Sequence, residues 1–317
     1  MIKVGLILYS VRDMMAQDPL GTVEAVAKLG YKNIEVCNHN AIADAGCGFG
    51  LPAEEMKAKF DEYGSRVVSA HIFPIEKADL EKVVEYEQIL GNQNIVNPMG
   101  KFSTYDDLMR QLEVFNATGK RLRELGMTYL YHNHNQEYRT FKGKAILDYI
   151  VENTDPDYVG LELDTFWTMR GGLNPVEMLK HFGKRVKLVH QKDFAWDATV
   201  PINLNGITPE EREMKVDEVL GIDGDSEYAK NKDRQTSQAK KDRKPETGEK
   251  DFSDTTAFTE IGQGIMPIQD IIDTANAYTD AAYIILEQDY TRLPTQLDSI
   301  TKSMDSFHRF NNISWDN

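Results

Sequence analysis

The sequence predicts an α/β fold in the form of a (β/α)8 barrel, and three observations carry that prediction. Short runs rich in Val, Ile, Leu and Tyr recur along the 317 residues, and each is followed by a stretch with helical periodicity. Alternation of this kind builds a parallel sheet with helices on its faces, and eight units fit a closed barrel better than an open sheet. No Gly-x-Gly-x-x-Gly follows the first strand, which removes the main signature of a dinucleotide fold.

The first unit is a strand at Val4–Tyr9 and a helix over Asp18–Gly30, with Asp18 as N-cap, Pro19 in the first turn and Gly30 as the stop. The second pairs Asn33–Cys37 with Pro52–Tyr63, and the third pairs Arg66–Ile72 with Glu76–Leu90. The fourth is Ile95–Pro98 with Tyr105–Leu125; the fifth is Thr128–His134 with Lys144–Glu152. Tyr158–Asp164 and Pro175–Phe182 form the sixth. The seventh strand, Val186–Asp193, reaches its helix Pro267–Tyr278 only after a long excursion, and Tyr283–Asp289 with Pro294–Phe310 closes the series.

One barrel domain over residues 1–317 is therefore expected, with residues 195–258 as an insertion within it. Inside the insertion, Asp223–Asp251 holds eight acidic and eight basic residues and almost nothing apolar. Such a stretch cannot bury enough surface to offset its ordering entropy and is expected to be mobile. Trp196–Leu220 carries enough apolar residues to fold over something. Loops leaving the C-terminal end of a barrel strand border the active site, so a lid, a subunit contact and a solvated insertion are all open readings.

Composition narrows the function class. The formal net charge is −15, which opposes a polyanionic partner because nucleic-acid binders need a basic face. Two cysteines, Cys37 and Cys47, make neither a disulfide scaffold nor a metal pattern and read as reduced thiols. The apolar run Ile2–Tyr9 lacks a small-residue cleavage site and reads as a strand. No apolar run approaches the roughly 20 residues of a membrane helix, and the cytoplasm is the expected compartment.

Barrel strands should stay apolar until their last residues, and charged groups there point into the shared mouth. Several strands end in this way: Glu35; His71; His132, Asn133 and His134; Glu162 and Asp164; His190 and Lys192; Glu287 and Asp289. Strands five to eight each end in a metal-capable group, and neighbouring strands lie only about 4.8 Å apart. Unpaired carboxylates and imidazoles so crowded are costly, and a divalent cation is the natural neutraliser. Period-two alternation puts His132 with His134, Glu162 with Asp164, His190 with Lys192 and Glu287 with Asp289, but it leaves open which member of each pair binds. Mixed carboxylate and imidazole donors suit Mn²⁺, Co²⁺, Fe²⁺ or Zn²⁺ better than Ca²⁺.

At these residues the chain resembles the sugar phosphate isomerase/epimerase family, the xylose-isomerase-like TIM barrels. The resemblance rests on an ordered set of motifs: Leu8-Tyr9-Ser10-Val11-Arg12-Asp13, Gly30-Tyr31-Lys32-Asn33-Ile34-Glu35, Tyr131-His132-Asn133-His134 with Glu137, Leu161-Glu162-Leu163-Asp164, Val189-His190-Gln191-Lys192-Asp193, Ile261-Gly262-Gln263-Gly264 and Leu286-Glu287-Gln288-Asp289. It spans the chain except roughly residues 195–258. It implies a metal held by a Glu, an Asp, a His and a Glu ending strands five to eight. Asp164, His190 and Glu287 match the last three, and the first position falls on His132, a departure from the pattern. In ketose epimerases of this superfamily the two Glu ligands also act as opposed bases, so His132 puts a symmetrical two-Glu epimerisation in doubt.

The subgroup with His-Asn-His on strand five includes proteins resembling lyases and deglycosidases of 3-keto sugars, beside many isomerases. All share removal of a proton next to a carbonyl, with a divalent metal polarising the oxygen. Mn²⁺ is the first choice of ion, with Co, Zn, Fe or Mg as alternatives. The resemblance thus implies His132, Asp164, His190 and Glu287 as ligands and His134 or His132 as base, with Glu287 catalytic as well. Lys192 is expected to steady the oxyanion. Tyr9, Arg12, His71, Glu137 and Trp167 are the expected substrate neighbours, Glu137 also standing as an alternative fourth ligand. The expected partner is a small sugar, with a homo-oligomer compatible with the barrel form. Two rival readings are a DNA-repair endonuclease on the same barrel, which the charge opposes, and a non-catalytic sugar-binding barrel.

Overall fold

The computed structural model describes residues 1–206 and 255–315. Among these, eight parallel strands close into a ring: β1 Ile2–Ile7, β2 Asn33–Asn38, β3 Arg66–Ile72, β4 Asn94–Asn97, β5 Thr128–His132, β6 Val159–Asp164, β7 Val186–Gln191 and β8 Tyr283–Leu286. Each pairs with its sequence neighbour, and β8 pairs with β1, Val4 lying opposite Ile284. Closure leaves the barrel without a free edge. A short strand, Ile313–Ser314, adds to β1 at the base of the barrel.

Outside the ring run α1 Pro19–Lys28, α2 Ala53–Glu62, α3 Leu80–Leu90, α4 Tyr105–Glu124, α5 Ile146–Glu152, α6 Pro175–Phe182, α7 Ile268–Tyr278 and α8 Gln296–Phe307. Local chemistry fixes where several begin. Asp18 accepts from the Gly21 amide at 2.9 Å, Thr104 from Asp107 at 3.0 Å and Thr295 from Asp298 at 3.0 Å. Gly30 ends the first unit with φ of 99°, a conformation that side-chain-bearing residues avoid. α3 starts later than the sequence suggests, because Ile75–Lys77 forms a separate 3-10 turn and Asp79 caps the helix proper.

The main apolar core lies between strands and helices, and two small clusters fill the barrel interior. Val96, Leu130 and Leu188 form one; Ile7, Val68 and Ile285 form the other. Alternation carries those strands upward to His132, His190 and Glu287 on the same inward face. β3 needs a further device. Val68 and His71 are three residues apart, so strict alternation would put them on opposite faces. A bulge opposite Ile34 and Glu35 absorbs the extra residue, and both side chains face inward.

The excursion after β7 is pinched at its root. Asp193–Phe194 pairs antiparallel with Phe258–Thr259, so the two ends of the excursion leave side by side. The Asp193 carboxylate accepts from the amides of Phe194 (2.9 Å), Gly262 (2.9 Å), Gly264 (3.0 Å) and Met266 (3.1 Å), tying the returning chain to the barrel. The outgoing arm to residue 206 packs on the loops after β5 and β6: Asn135 donates to Asn205 at 3.2 Å, and the Leu204 amide donates to Arg170 O at 2.7 Å. The expected mobile stretch, 223–251, lies outside the described residues. Among the described residues Cys37 and Cys47 are free thiols, and no helix is long and apolar enough to cross a membrane.

Candidate metal centre

Above the apolar clusters the barrel interior turns polar over two levels. Glu35, His71, His132, Glu162 and His190, all buried, form the deeper one. Their contacts are short: His71 Nε2 lies 2.6 Å from Glu162 Oε2, His132 Nδ1 3.0 Å from the same oxygen, and His190 Nε2 2.5 Å from Glu35 Oε2. The rings pack tightly, His71 stacked on His190 at 5.1 Å between centroids and His132 edge-on to His190 at 4.8 Å.

Asp164, Lys192 and Glu287 form the upper level, one pleat nearer the mouth. Lys192 Nζ donates to Asp164 Oδ2 at 2.8 Å and also to Glu287 Oε2, with Asp289 Oδ2 3.9 Å away. His190 reaches this level through Nδ1, 3.0 Å from Glu287 Oε2, and His132 Nε2 stands 3.9 Å from Asp164 Oδ2. Asn133 fixes the end of β6 by accepting the Asp164 amide at 3.0 Å and donating to Asp164 O at 3.2 Å.

Burial and neighbouring charges divide the ionisable groups. Burial alone would push Glu162 and Glu287 up. Around Glu162, His190 and His71 with the His132 hydrogen bond reverse that; around Glu287, Lys192 and His190 do so. Both carboxyls end well below the usual range. Burial and the charge of Glu162 push Glu35 up, and burial also raises Asp164 and Asp289, the latter to about 7. Burial holds His132 well below the ordinary imidazole value and lowers His134 to about 3, with Lys192 adding to the effect on His134. Lys192 stays an ammonium: burial opposes its charge, but Asp164, Asp289 and Glu287 together raise its pKa.

Two groups of side chains bring one donor atom each within 4.8 Å of one another: His132, Asp164, His190 and Glu287, and His71, His132, Glu162 and His190. The donor set fits a divalent ion of the Mn²⁺ to Zn²⁺ type, since imidazole nitrogens and carboxylate oxygens are mixed. Among the described residues, the buried Oε1 atoms of Glu35 and Glu162 have no hydrogen-bond partner, which is costly in an all-protein cluster.

The other sequence-nominated residues surround this cluster. His134 lies beside Trp167 at 5.5 Å between ring centroids, and its Nδ1 has no hydrogen-bond partner among the described residues. Trp167 also faces Lys192, 6.0 Å from its Nζ, and caps the end of β6 by donating its amide to Asp164 Oδ1 at 2.7 Å. Glu137 does not join either group; its carboxylate accepts from Tyr131 Oη and the His134 amide, both at 2.8 Å, and supports the β5 loop. His71 sits inside the deeper level. Arg12 stacks over Tyr9 at 4.5 Å and donates to the carbonyls of Tyr9 and Asp289, so its charge braces the β1 and β8 loops. A cavity of about 400 Å³ opens between those loops, lined by Arg12, Gln288, Asp289 and Tyr290 among others.

Glu35, Glu162 and Asp289 were left without a role by sequence reasoning. The signal for two of them was present, because Glu162 and Asp289 share a strand face with Asp164 and Glu287. Glu35 had no such partner, and only barrel closure brings it to His190.

Residues 23–309 match the xylose isomerase-like TIM barrel family. The chain belongs to that family. It is similar to an inosose dehydratase of Geobacillus kaustophilus (strain HTA426), 37% identical over 75 residues, 24% of this chain and 24% of that protein. A second inosose dehydratase, from Lacticaseibacillus casei, is 32% identical over 90 residues, 28% of this chain and 30% of that one. The chain thus spans under a third of the length of these curated relatives. Among solved structures, a sugar phosphate isomerase/epimerase of Parabacteroides distasonis ATCC 8503 superposes with a TM-score of 0.69 at 22% identity, over 99% of this chain and 96% of that one. The IolI protein with a bound zinc atom superposes with a TM-score of 0.62 at 13% identity, over 97% of each chain.

Proposed function

We propose that this barrel is a metal-dependent enzyme that removes a proton beside the carbonyl of a keto or aldo sugar or related polyol, and that elimination is the favoured outcome. The observation that carries the reading is the convergence of His132, Asp164, His190 and Glu287 within 4.8 Å at the strand ends, beside Lys192 and His134. These four side chains would hold the ion, with Mn²⁺ as first choice. When bound, the ion supplies polarisation of the substrate carbonyl.

The chain's own residues account for the remaining chemistry. His134, neutral and with Nδ1 unpartnered among the described residues, takes the proton from the carbon next to the carbonyl. Lys192, an ammonium held against Asp164 and Glu287, offsets negative charge developing on the carbonyl oxygen. In the elimination the freed electron pair forms the new double bond, and the substituent on the next carbon leaves as water or an alcohol by taking up the proton that His134 carries. Trp167 offers a flat apolar face for the ring, with Tyr9 and Arg12 bordering the entrance. Elimination is preferred to epimerisation because the two sides of the cluster differ, Glu287 on one and His132 on the other. The names of the inosose dehydratase relatives agree with that preference.

The test is to incubate the protein with Mn²⁺ and a panel of inososes, 3-keto glycosides and ketose phosphates in D₂O. The expected result is Mn²⁺-dependent deuterium entry beside the carbonyl, with release of water or aglycone from at least one class. Sugars that raise the melting temperature but exchange no proton, with or without Mn²⁺, would instead establish a sugar-binding barrel.

A further inference from the structure

His132 and His190 belong to both groups able to hold an ion, and each ring turns one nitrogen to each group. His132 offers Nδ1 to Glu162 at 3.0 Å and Nε2 towards Asp164 at 3.9 Å. His190 offers Nε2 to Glu35 at 2.5 Å and to Glu162 at 3.3 Å, and Nδ1 to Glu287 at 3.0 Å. Filling both groups at once would require both nitrogens of both rings to bind ions. Each ring would then be a doubly deprotonated imidazolate, packed against four buried carboxylates. Neither ring would then keep an N–H for the carboxylate it meets closely, Glu162 for His132 and Glu35 for His190.

The short contacts choose between the two groups. An imidazole nitrogen approaches a carboxylate oxygen to 2.5–3.0 Å by donating a hydrogen to it. Glu162 Oε2 gathers two such nitrogens, from His71 (2.6 Å) and His132 (3.0 Å), with His190 Nε2 a little farther at 3.3 Å. His190 has a second short contact, from Nδ1 to Glu287 at 3.0 Å, so the shorter one, to Glu35 at 2.5 Å, decides its tautomer. With hydrogen on His132 Nδ1 and His190 Nε2, the lone pairs fall on His132 Nε2 and His190 Nδ1. Those nitrogens face Asp164 and Glu287.

We infer that Glu162 and Glu35 are positioning carboxylates that set the tautomers of His132 and His190, so that the barrel takes up one divalent ion, at the Asp164 and Glu287 level, and not two. This rests on the metal reading above and deepens it. A carboxylate that accepts the far N–H of a ligating imidazole fixes the ring and raises its basicity, and its loss typically weakens metal binding by roughly 10- to 100-fold.

The experiment titrates Zn²⁺ into the full chain against a chromophoric chelator, and records long-range ¹⁵N–¹H spectra of histidine-labelled, Zn²⁺-loaded protein. The expected results are one ion per chain, a 10- to 100-fold loss of affinity in Glu162→Gln and Glu35→Gln, and hydrogen on His132 Nδ1 and His190 Nε2. Two ions per chain, the opposite tautomers, or an affinity in Glu162→Gln within twofold of the parent would overturn the inference while leaving the metal reading intact. No Zn²⁺ uptake by the parent protein would sink both. If Glu162→Gln does not fold, the spectrum of the unaltered chain still decides, because the tautomers are read without a substitution.

Discussion

Val96, Leu130 and Leu188 fill one level of the barrel interior, whereas two residues further along the same two strands β5 and β7 stand His132 and His190. Ile285 and Glu287 repeat the change on β8. Both levels are shut away from water, yet they hold together by different means. The apolar level is held by contact and by area removed from water. The polar level is held by mutual neutralisation, in which each carboxylate finds an imidazole or the Lys192 ammonium. Buried ionic clusters of that kind add little net stability compared with apolar packing. Of the two interior levels the apolar one therefore adds the stability, and on the proposed reading the polar one is kept for what it binds.

The largest expected effect comes from breaking the polar level. Asp164→Ala and His190→Ala should each abolish uptake of a divalent ion, measured by elemental analysis after dialysis, while the far-ultraviolet circular dichroism stays that of the barrel. Full metal content in either variant would remove that residue from the ligand set. Next in size is a cavity in the apolar level. Leu130→Ala should cost about 2–5 kcal/mol in urea unfolding and leave metal affinity within about twofold of the parent. A collapse of affinity in that variant would show that the two levels are not separable.

The smallest effect sharpens the role of neutralisation. Glu87, on α3, is a buried carboxyl outside the barrel whose side chain meets only the Asn92 amide, at 2.9 Å, among the hydrogen bonds of the described residues. Burial pushes its pKa from 4.5 to about 8, in contrast to Glu162, which its imidazoles hold ionised. Between those two pH values the folded chain keeps a proton at Glu87 that the unfolded chain has released. The stability tied to this group is therefore present below pH 4.5 and is lost as pH rises towards 8, with a slope of at most about 1.4 kcal/mol per pH unit. Urea midpoints from pH 5 to 8 should fall less steeply in Glu87→Gln than in the parent, and equal slopes would refute the assignment.

Most of the barrel was legible in the residue order. Arg66–Ile72 and Pro175–Phe182 have the bounds that the sequence suggests, and other elements shift by a few residues. The shifts have local causes. Leu8–Val11 winds into a 3-10 turn and shortens β1, and β5 and β8 end at His132 and Leu286, so that His134, Glu287 and Asp289 sit in the loops just beyond. Of the site, the inward pairs on β5 to β8 were readable from alternation. Alternation could not place His71 and Glu137, both nominated as substrate neighbours. One is buried between Glu35 and Glu162, and the other is spent on the β5 loop.

By itself the amino-acid order determined the eight-fold alternation, the polar strand ends and the long interruption after β7, because periodicity and capping act over a few residues. Only the closed barrel decided which polar ends touch. Glu35 and His190 are 155 residues apart and meet because the ring folds β2 across from β7, a distance that no local pattern spans. The β3 bulge likewise turned His71 inward against its own period, since register belongs to the pairing of strands and not to either strand alone.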